Sequence, residues 1–152
     1  MLNDGVLFLI EDNPSDIDLT RRALEKGGVA NTLVVAEDGQ EALDYLFGEG
    51  AHAGADFNEL PTLILMDLKL PKVSGFGVLR RIREDPRTKT VPVVIFTSSK
   101  EQEDVIRGYD LGANGYIRKP VDSRQFQDTI SQLGLYWLML SELPPKTKSR
   151  VK

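Results

Sequence analysis

Residues suited to phosphate chemistry or metal binding stand at or just after the ends of short apolar runs. Glu11 and Asp12 follow the first run, and Asp67, Thr97 and Lys119 stand at the ends of three later ones. Burying a carboxylate without a partner is costly, so Asp67 must reach solvent or a cation. Three carboxylates that lie together repel one another, and Mg²⁺ neutralises such a set while leaving room for a phosphate oxygen.

These side chains together could carry out phosphoryl transfer. A carboxylate nucleophile such as Asp67 can accept a phosphoryl group while a divalent ion and a lysine neutralise the developing charge. Lys119 would supply the second cationic centre, and Thr97 a hydroxyl donor. Each residue alone fits an ordinary polar position at a strand end, but the presence of all of them at the correct ends favours a functional site.

Five strands alternating with five helices would position these residues. Apolar runs at 6–10, 32–36, 63–66 and 93–96 are typical of parallel strands covered by helices, and the weaker run 115–118 indicates an edge strand. Helical patterns follow the runs: from Pro14 to Gly27, after a cap at Asp38 as far as Gly48, at 76–83, at 100–111, and after a cap at Asp122.

This (βα)₅ order predicts an α/β fold of the flavodoxin-like type. We expect a parallel five-stranded sheet in the order 2-1-3-4-5, with helices on both faces and ligands beyond the carboxyl ends of the strands. The chain is interpreted as one domain over residues 1–140 and a tail at 141–152. Segment 48–61 is long and irregular, and loops of that length are usually functional or mobile.

The composition narrows the classes of function. Of the 152 residues, 41% are hydrophobic and 28% are charged, and a net charge of -4 argues against a nucleic-acid surface. The chain contains no cysteine, which excludes disulfides, thiolate metal sites and thiol catalysis. The amino-terminal apolar run is too short for a membrane span and lacks the features of a signal peptide. We therefore expect a cytoplasmic protein without a membrane partner.

The sequence resembles the receiver domain of two-component response regulators. The resemblance is carried by LFLIEDNPSD, LILMDLKLPKVSG, VVIFTSS and GYIRKP, which occur in this order within residues 5–133. It implies that Asp67 is the phosphoacceptor. It also implies that Mg²⁺ is bound by Glu11, Asp12 and Asp67 together with the backbone carbonyl of Lys69. Glu11 departs from the family pattern, which more often has a second aspartate there.

The resemblance implies further roles at the ends of the last two strands. Thr97 would turn its hydroxyl toward the phosphoryl group, and Lys119 would be the cationic partner. Tyr116 would be an aromatic switch that packs inward when Thr97 moves. The Lys119–Pro120 peptide bond would be cis, a state that only bonds before proline adopt readily. Such a protein catalyses its own phosphotransfer and slow dephosphorylation, and is otherwise not an enzyme.

A narrower resemblance concerns the partner. EDNPSD, the long loop before the third strand and LGLYWLMLSELPP are similar to single-domain regulators that partner phytochrome-type histidine kinases. In the last segment, Leu135, Leu138 and Met139 lie off the apolar helical stripe that contains Trp137. Large apolar patches mark interfaces, so we predict a homodimer through this region. The alternative is a helix end covered by its own tail.

Two other functions fit parts of the pattern. A Mg²⁺-dependent phosphatase of the haloacid dehalogenase type also uses an aspartate nucleophile, but it has a second aspartate two residues later, where this chain has Lys69. A nucleotide- or flavin-binding module would need a glycine-rich phosphate loop after the first strand, and EDNPSD is acidic instead. His52 is the single histidine, and we assign it no role.

Overall fold

The computed structural model describes residues 5–28, 32–48, 60–99, 101–119 and 122–134. Within these ranges five strands alternate with five helices, which confirms the (βα)₅ prediction. The elements are β1 (Leu7–Ile10), α1 (Pro14–Lys26), β2 (Leu33–Ala36), α2 (Gly39–Phe47), β3 (Leu63–Met66), α3 (Gly75–Glu84), β4 (Val93–Thr97), α4 (Gln102–Asp110), β5 (Gly115–Arg118) and α5 (Ser123–Gly134).

The strands form one parallel sheet in the order β2-β1-β3-β4-β5, as predicted. Strand β1, which lies between β2 and β3, has matching registers on both sides, since Leu7 faces Leu33 of β2 and Leu63 of β3. β5 lies at one edge of the sheet formed by the described residues, where it pairs with β4, and its residues are half-buried or exposed. Its weaker apolar run therefore indicated the edge position correctly.

The two faces of the sheet bury different side chains, because successive residues of a strand point to opposite sides. Phe8 and Ile64 pack on one face with apolar residues of α2 and α3. Leu9, Leu65 and Phe96 pack on the other face with α1 and α5. Burying such a side chain stabilises the fold by about 1.5–3 kcal/mol relative to exposure. Helices thus cover both faces of the sheet and bury its central strands.

Side-chain caps begin the helices close to the strand ends. Asn13 accepts the amide of Ser15 at 2.9 Å, and Asp38 accepts the amide of Glu41 at 2.7 Å. Asp122 likewise accepts amides from the first turn of α5, so both predicted aspartate caps are confirmed. Such a cap contributes about 1 kcal/mol. Among the described residues no helix is long and apolar enough to cross a membrane.

Some element bounds differ from the prediction by one or two residues. β4 continues one residue further than expected, because Thr97 still pairs with Arg118 in the ladder. α4 begins at Gln102 rather than at 100, because the backbone of Glu101 is extended and its side chain makes no capping hydrogen bond. β1 and β2 each begin one residue later than predicted. None of these differences moves a predicted site residue away from the carboxyl edge of the sheet.

Candidate functional site

The candidate site lies at the carboxyl edge of the sheet, where backbone hydrogen bonds continue beyond the strands. The amide of Asp67 donates to the carbonyl of Ile10 at 3.0 Å, and the amide of Lys119 donates to the carbonyl of Thr97 at 2.7 Å. The amide of Glu11 is bonded to the end of β2 at 2.9 Å. The neighbouring strand therefore fixes the backbone from which each of these side chains projects.

The Lys119 ammonium is at the centre of the site. Its Nζ donates to three carboxylates: Glu11 Oε1 at 2.8 Å, Asp16 Oδ2 at 2.7 Å and Asp67 Oδ2 at 3.0 Å. An ammonium group has three N–H donors, so each carboxylate can receive one. The same Nζ lies 4.8 Å from the centre of the Phe96 ring, which closes the apolar side. The ammonium is thereby enclosed, with only 12% of the side chain exposed.

These contacts fix the charge of the lysine. Burial alone would lower the pKa of Lys119, but hydrogen bonds to Asp16, Glu11 and Asp67 outweigh it and raise the pKa above the ordinary value of 10.5. Lys119 is therefore cationic at neutral pH. One positive charge nonetheless faces more than one carboxylate, so the site as a whole carries a surplus of negative charge.

Three of the acids are placed to share a metal ion. Glu11, Asp12 and Asp67 each offer a carboxylate oxygen, and the three oxygens lie within 4.8 Å of one another. Asp12 is exposed and has no hydrogen-bond or ion-pair partner within the described part of the chain, whereas the other two are buried. An oxygen-only set with one free carboxylate fits Mg²⁺, which retains several waters. The predicted acidic ligands are thus brought together.

Burial disfavours the charged form of the Glu11 carboxylate and so affects its pKa. Burial raises the pKa of Glu11 to about 7 from its ordinary value of 4.5, although the hydrogen bond from Lys119 acts in the opposite direction. The amide of Asn13 also donates to Glu11 Oε2, at 3.2 Å. A buried carboxylate of this kind gains more from a nearby cation than an exposed one does.

Thr97 and Tyr116 are joined through one residue of the segment between β4 and α4. Thr97 is fully buried, and its Oγ1 accepts the amide of Ser99 at 3.4 Å. The Tyr116 hydroxyl donates to the carbonyl of Ser99 at 3.5 Å. The Ser99 hydroxyl donates in turn to Asp104 in the first turn of α4. The end of β4 is therefore linked by hydrogen bonds to α4 and to β5.

The Tyr116 ring lies against α4. A Cβ built on Gly108 would approach two ring carbons of Tyr116 to 3.7 Å and Ile95 Cδ1 to 2.7 Å, so glycine allows the helix to pack closely on the sheet there. The ring is half-buried, and burial raises the pKa of the phenol. Its role as a switch stays a prediction.

The loop after Asp67 is held tightly against the strand end. The amide of Lys69 donates to Asp67 Oδ1 at 3.3 Å, while the Lys69 side chain is exposed. The amide of Gly75 donates to the Leu68 carbonyl at 2.8 Å, and a Cβ at Gly75 would lie 2.3 Å from the Asp67 carbonyl oxygen. Only glycine permits this return into α3. The Lys69 carbonyl as a metal ligand stays a prediction.

Asp16 also belongs to the site, although the positions of the strand ends did not predict it. It lies in the first turn of α1 rather than at a strand end, four residues after Asp12. The available signal was Pro14, because proline in the first turn fixes where the helix begins and so places Asp16 above the strand ends.

Several predictions concern residues outside the described ranges. They are the cis peptide bond between Lys119 and Pro120, the interface residues Leu135, Leu138 and Met139, most of the 48–61 loop, and the tail at 141–152. These stay predictions.

The chain matches one family profile over most of its length. The profile of the response regulator receiver domain matches residues 7–131. That range contains all of the acids at the carboxyl edge as well as Thr97, Tyr116 and Lys119.

Individual relatives match nearly end to end. Response regulator Rcp1 of Synechocystis sp. is 32% identical over 139 residues, which are 91% of this chain and 92% of Rcp1. The crystal structure of its Mn²⁺-bound form superimposes with a TM-score of 0.82 over 93% of this chain and 99% of that one. The phosphorylated cyanobacterial phytochrome response regulator RcpA gives 39% identity and a TM-score of 0.83, covering 93% and 99%. The bacteriophytochrome response regulator AtBRR gives 45% identity and a TM-score of 0.71, covering 91% and 98%.

Proposed function

The chain belongs to the family of response regulator receiver domains, and we propose that it is a single-domain response regulator that accepts a phosphoryl group on Asp67 in a Mg²⁺-dependent reaction. One observation carries the proposal. The Asp67 carboxylate lies 3.0 Å from the Lys119 ammonium and belongs to the acid group that could hold a metal ion. A nucleophilic carboxylate between two cationic centres is suited to phosphoryl transfer.

The phosphoryl donor is a phosphohistidine of a sensor kinase. A carboxylate oxygen of Asp67 attacks phosphorus and forms a P–O bond. The P–N bond breaks, its electron pair goes to nitrogen, and the ring leaves as neutral imidazole after taking up one proton from solvent. Lys119 neutralises charge on the transferred group, and Mg²⁺ held by Glu11, Asp12, Asp67 and the Lys69 carbonyl would supply further neutralisation. Water later attacks phosphorus, the P–O bond to Asp67 breaks with its electron pair going to the carboxylate, and inorganic phosphate is released.

The phosphorylated state changes a binding surface rather than a catalytic output. Thr97 moves its hydroxyl toward the phosphoryl group, and Tyr116 packs inward in response. The hydrogen bonds that join Ser99 with Thr97, Asp104 and Tyr116 support this route, because they connect the end of β4 to α4 and β5. The surface formed by α4, β5 and α5 then binds the kinase or a downstream target.

The partner is a sensor histidine kinase of the phytochrome type. RcpA, described as a phytochrome response regulator, supports this because it matches this chain over nearly the full length of both. A homodimer through Leu135, Leu138 and Met139 is proposed from the sequence pattern. The alternative of a haloacid dehalogenase-type phosphatase gains no support. Such an enzyme has a general-acid aspartate two positions after its nucleophile, and this chain has Lys69 there.

The proposal is tested with a small phosphoryl donor. Wild type, Asp67→Asn and Asp44→Asn are incubated with acetyl phosphate, with and without Mg²⁺, and acyl phosphate is measured by intact mass. Asp44 is the matched control because it loses the same charge from the surface of α2. We expect Mg²⁺-dependent incorporation in the wild type and the control, and none in Asp67→Asn. Incorporation that survives Asp67→Asn, or that ignores the metal, would refute the assignment.

A further inference from the structure

Asp16 contacts the Lys119 ammonium but lies outside the group of acids that could hold a metal ion. Its carboxylate makes the shortest of the three contacts to Nζ, at 2.7 Å. The other two partners, Glu11 and Asp67, both belong to the acid group that could hold a metal ion, and Asp16 does not. Asp16 is also partly buried, with 21% of its side chain exposed, so solvent screens this pair less than a surface pair.

The backbone of Asp16 is fixed on both sides. Its amide donates to the capping side chain of Asn13 at 3.3 Å, and its carbonyl accepts the hydroxyl of Thr20 at 2.8 Å. Thr20 is fully buried, and α1 packs against the sheet face that also holds α5. The position of the Asp16 carboxylate is therefore set by the packing of α1, and it does not depend on a mobile loop.

The shared carboxylates create an electrostatic conflict. A divalent cation bound by Glu11, Asp12 and Asp67 would lie beside an ammonium that is 2.8 Å from one of its ligands and 3.0 Å from another. Two cations so placed repel each other by Coulomb's law. A negative charge that contacts the ammonium but lies outside the metal group reduces that repulsion, and Asp16 has this placement.

We propose that Asp16 is a positioning residue for Lys119, which holds the ammonium toward α1 and offsets its charge so that Mg²⁺ and Lys119 can share the carboxylates of Glu11 and Asp67. The inference deepens the proposed function, on which it rests for the identity of the metal. It assigns a role in metal binding to a helix residue that does not itself bind the metal.

The first test measures Mg²⁺ affinity in the unphosphorylated protein by isothermal titration calorimetry. Asp16→Asn retains the shape and one acceptor oxygen but removes the charge, and we expect it to bind Mg²⁺ about three- to tenfold more weakly. The matched control is Asp18→Asn, because Asp18 lies on the same helix and its carboxylate pairs with Arg22 at the surface. An exposed pair contributes little, so we expect a change of less than about twofold there.

The second test observes the lysine itself by ¹⁵N NMR of the Lys119 ammonium group. In the wild type its protons are held by carboxylates, so we expect a resolved signal that shifts or broadens in Asp16→Asn. Asp16→Glu restores the charge and should return both the signal and the Mg²⁺ affinity toward wild type. An acid in the first turn of α1 also stabilises the helix. Loss of that stabilisation in Asp16→Asn would lower Tm, but on its own it would change neither the Mg²⁺ affinity nor the Lys119 signal.

The outcomes separate this inference from the proposed function. A wild-type Mg²⁺ affinity and an unchanged Lys119 signal in Asp16→Asn would overturn the role of Asp16, even if Asp67 is phosphorylated normally. A wild-type protein that binds no Mg²⁺ would overturn it too. Weaker Mg²⁺ binding in Asp16→Asn would support the inference even if acetyl phosphate still labelled Asp67→Asn, a result that refutes only the phosphoacceptor. If Asp16→Asn fails to fold, Asp16→Ser gives the same test.

Discussion

Two cationic side chains in the described part of the chain, Lys119 and Arg83, lie half-buried at opposite ends of the parallel sheet and have opposite surroundings. Lys119 lies at the carboxyl end and contacts only carboxylates among its hydrogen-bond acceptors in the described residues. Arg83 lies at the amino end, at the close of α3, and its acceptors are neutral oxygens. A positive charge thus contacts carboxylates at the carboxyl end and neutral oxygens at the amino end.

Arg83 joins segments that precede two neighbouring strands. Its Nε donates to the carbonyl of Gly112 at 2.9 Å, and its Nη1 donates to the carbonyl of Val91 at 2.7 Å and of Lys89 at 3.1 Å. Its Nη2 donates to Asn114 Oδ1 at 2.9 Å. The five N–H groups of a guanidinium are suited to such a network. The result is a link between α3 and the beginnings of β4 and β5.

The two ends of the sheet differ in function: the cation at the amino end stabilises the fold, and the cation at the carboxyl end belongs to a candidate ligand-binding site. Burial lowers the pKa of Arg83, and neutral oxygens satisfy its donors without adding a charge that needs a further partner. At the other end, Lys119 faces an excess of carboxylates, and burial raises the pKa of Glu11 to about 7. The excess of carboxylates at this end lowers the stability of the isolated fold but favours the binding of a positively charged ligand, in line with the usual trade-off between stability and function.

Loss of the cation at the carboxyl end should have the largest effect, and that effect should be on phosphorylation. Lys119→Met should lower the rate of Asp67 phosphorylation by acetyl phosphate by about 10²-fold or more, because an enclosed charge no longer neutralises the transferred group. The control is Lys89→Met, which removes the same charge from an exposed side chain at the amino end. Initial rates of acyl phosphate formation are the measurement. Equal rates in the two variants would show that the ends do not differ in this way.

Loss of the cation at the amino end should affect stability instead. Arg83→Met removes the donors from its four oxygen acceptors, and we expect the free energy of unfolding to fall by about 2–3 kcal/mol. The phosphorylation rate at saturating donor should change little. Urea denaturation measures the first quantity, with Arg80→Met as an exposed control on the same helix. A stable Arg83→Met protein with impaired phosphorylation would contradict the division of roles.

The sequence predicted the carboxyl end better than the amino end, for a physical reason. Parallel strands all finish at one edge, so recognising the apolar runs was enough to bring Glu11, Asp67, Thr97 and Lys119 together. The exposure of β5 followed from its weaker run by the same logic. The sequence predicted where these residues lie along the backbone, and backbone positions depend on the hydrophobic pattern more than on side-chain packing.

The remaining contacts depend on side-chain packing across long separations in the chain. Arg83 and Asn114 are 31 positions apart, and Asp16 and Lys119 are 103 apart. Neither pair lies on a common strand or helix, so periodicity gives no indication of it. Asp16 could be anticipated only from the helix start at Pro14, and Arg83 resembled any other basic residue in a last helical turn.

The smallest effect concerns the pH dependence of the carboxyl end. Without metal, Glu11 has a pKa of about 7 in the folded protein and an ordinary value of 4.5 when exposed, because burial opposes its charge. The folded state therefore binds more protons than the unfolded chain between these values. It follows that the free energy of unfolding falls as the pH rises from about 4.5 to 7, as far as this group contributes.

A metal ion at the same site should reverse that trend, because it competes with the proton on Glu11. We expect saturating Mg²⁺ to add about 1 kcal/mol more stability at pH 8 than at pH 6, or about 2–4 °C in Tm. Thermal unfolding with and without Mg²⁺ at both pH values is the measurement. Glu11→Gln should lose the difference, since its amide does not titrate, whereas Arg83→Met should keep it. If Mg²⁺ stabilises the wild type equally at both pH values, then the surplus charge at the carboxyl end is not located on Glu11.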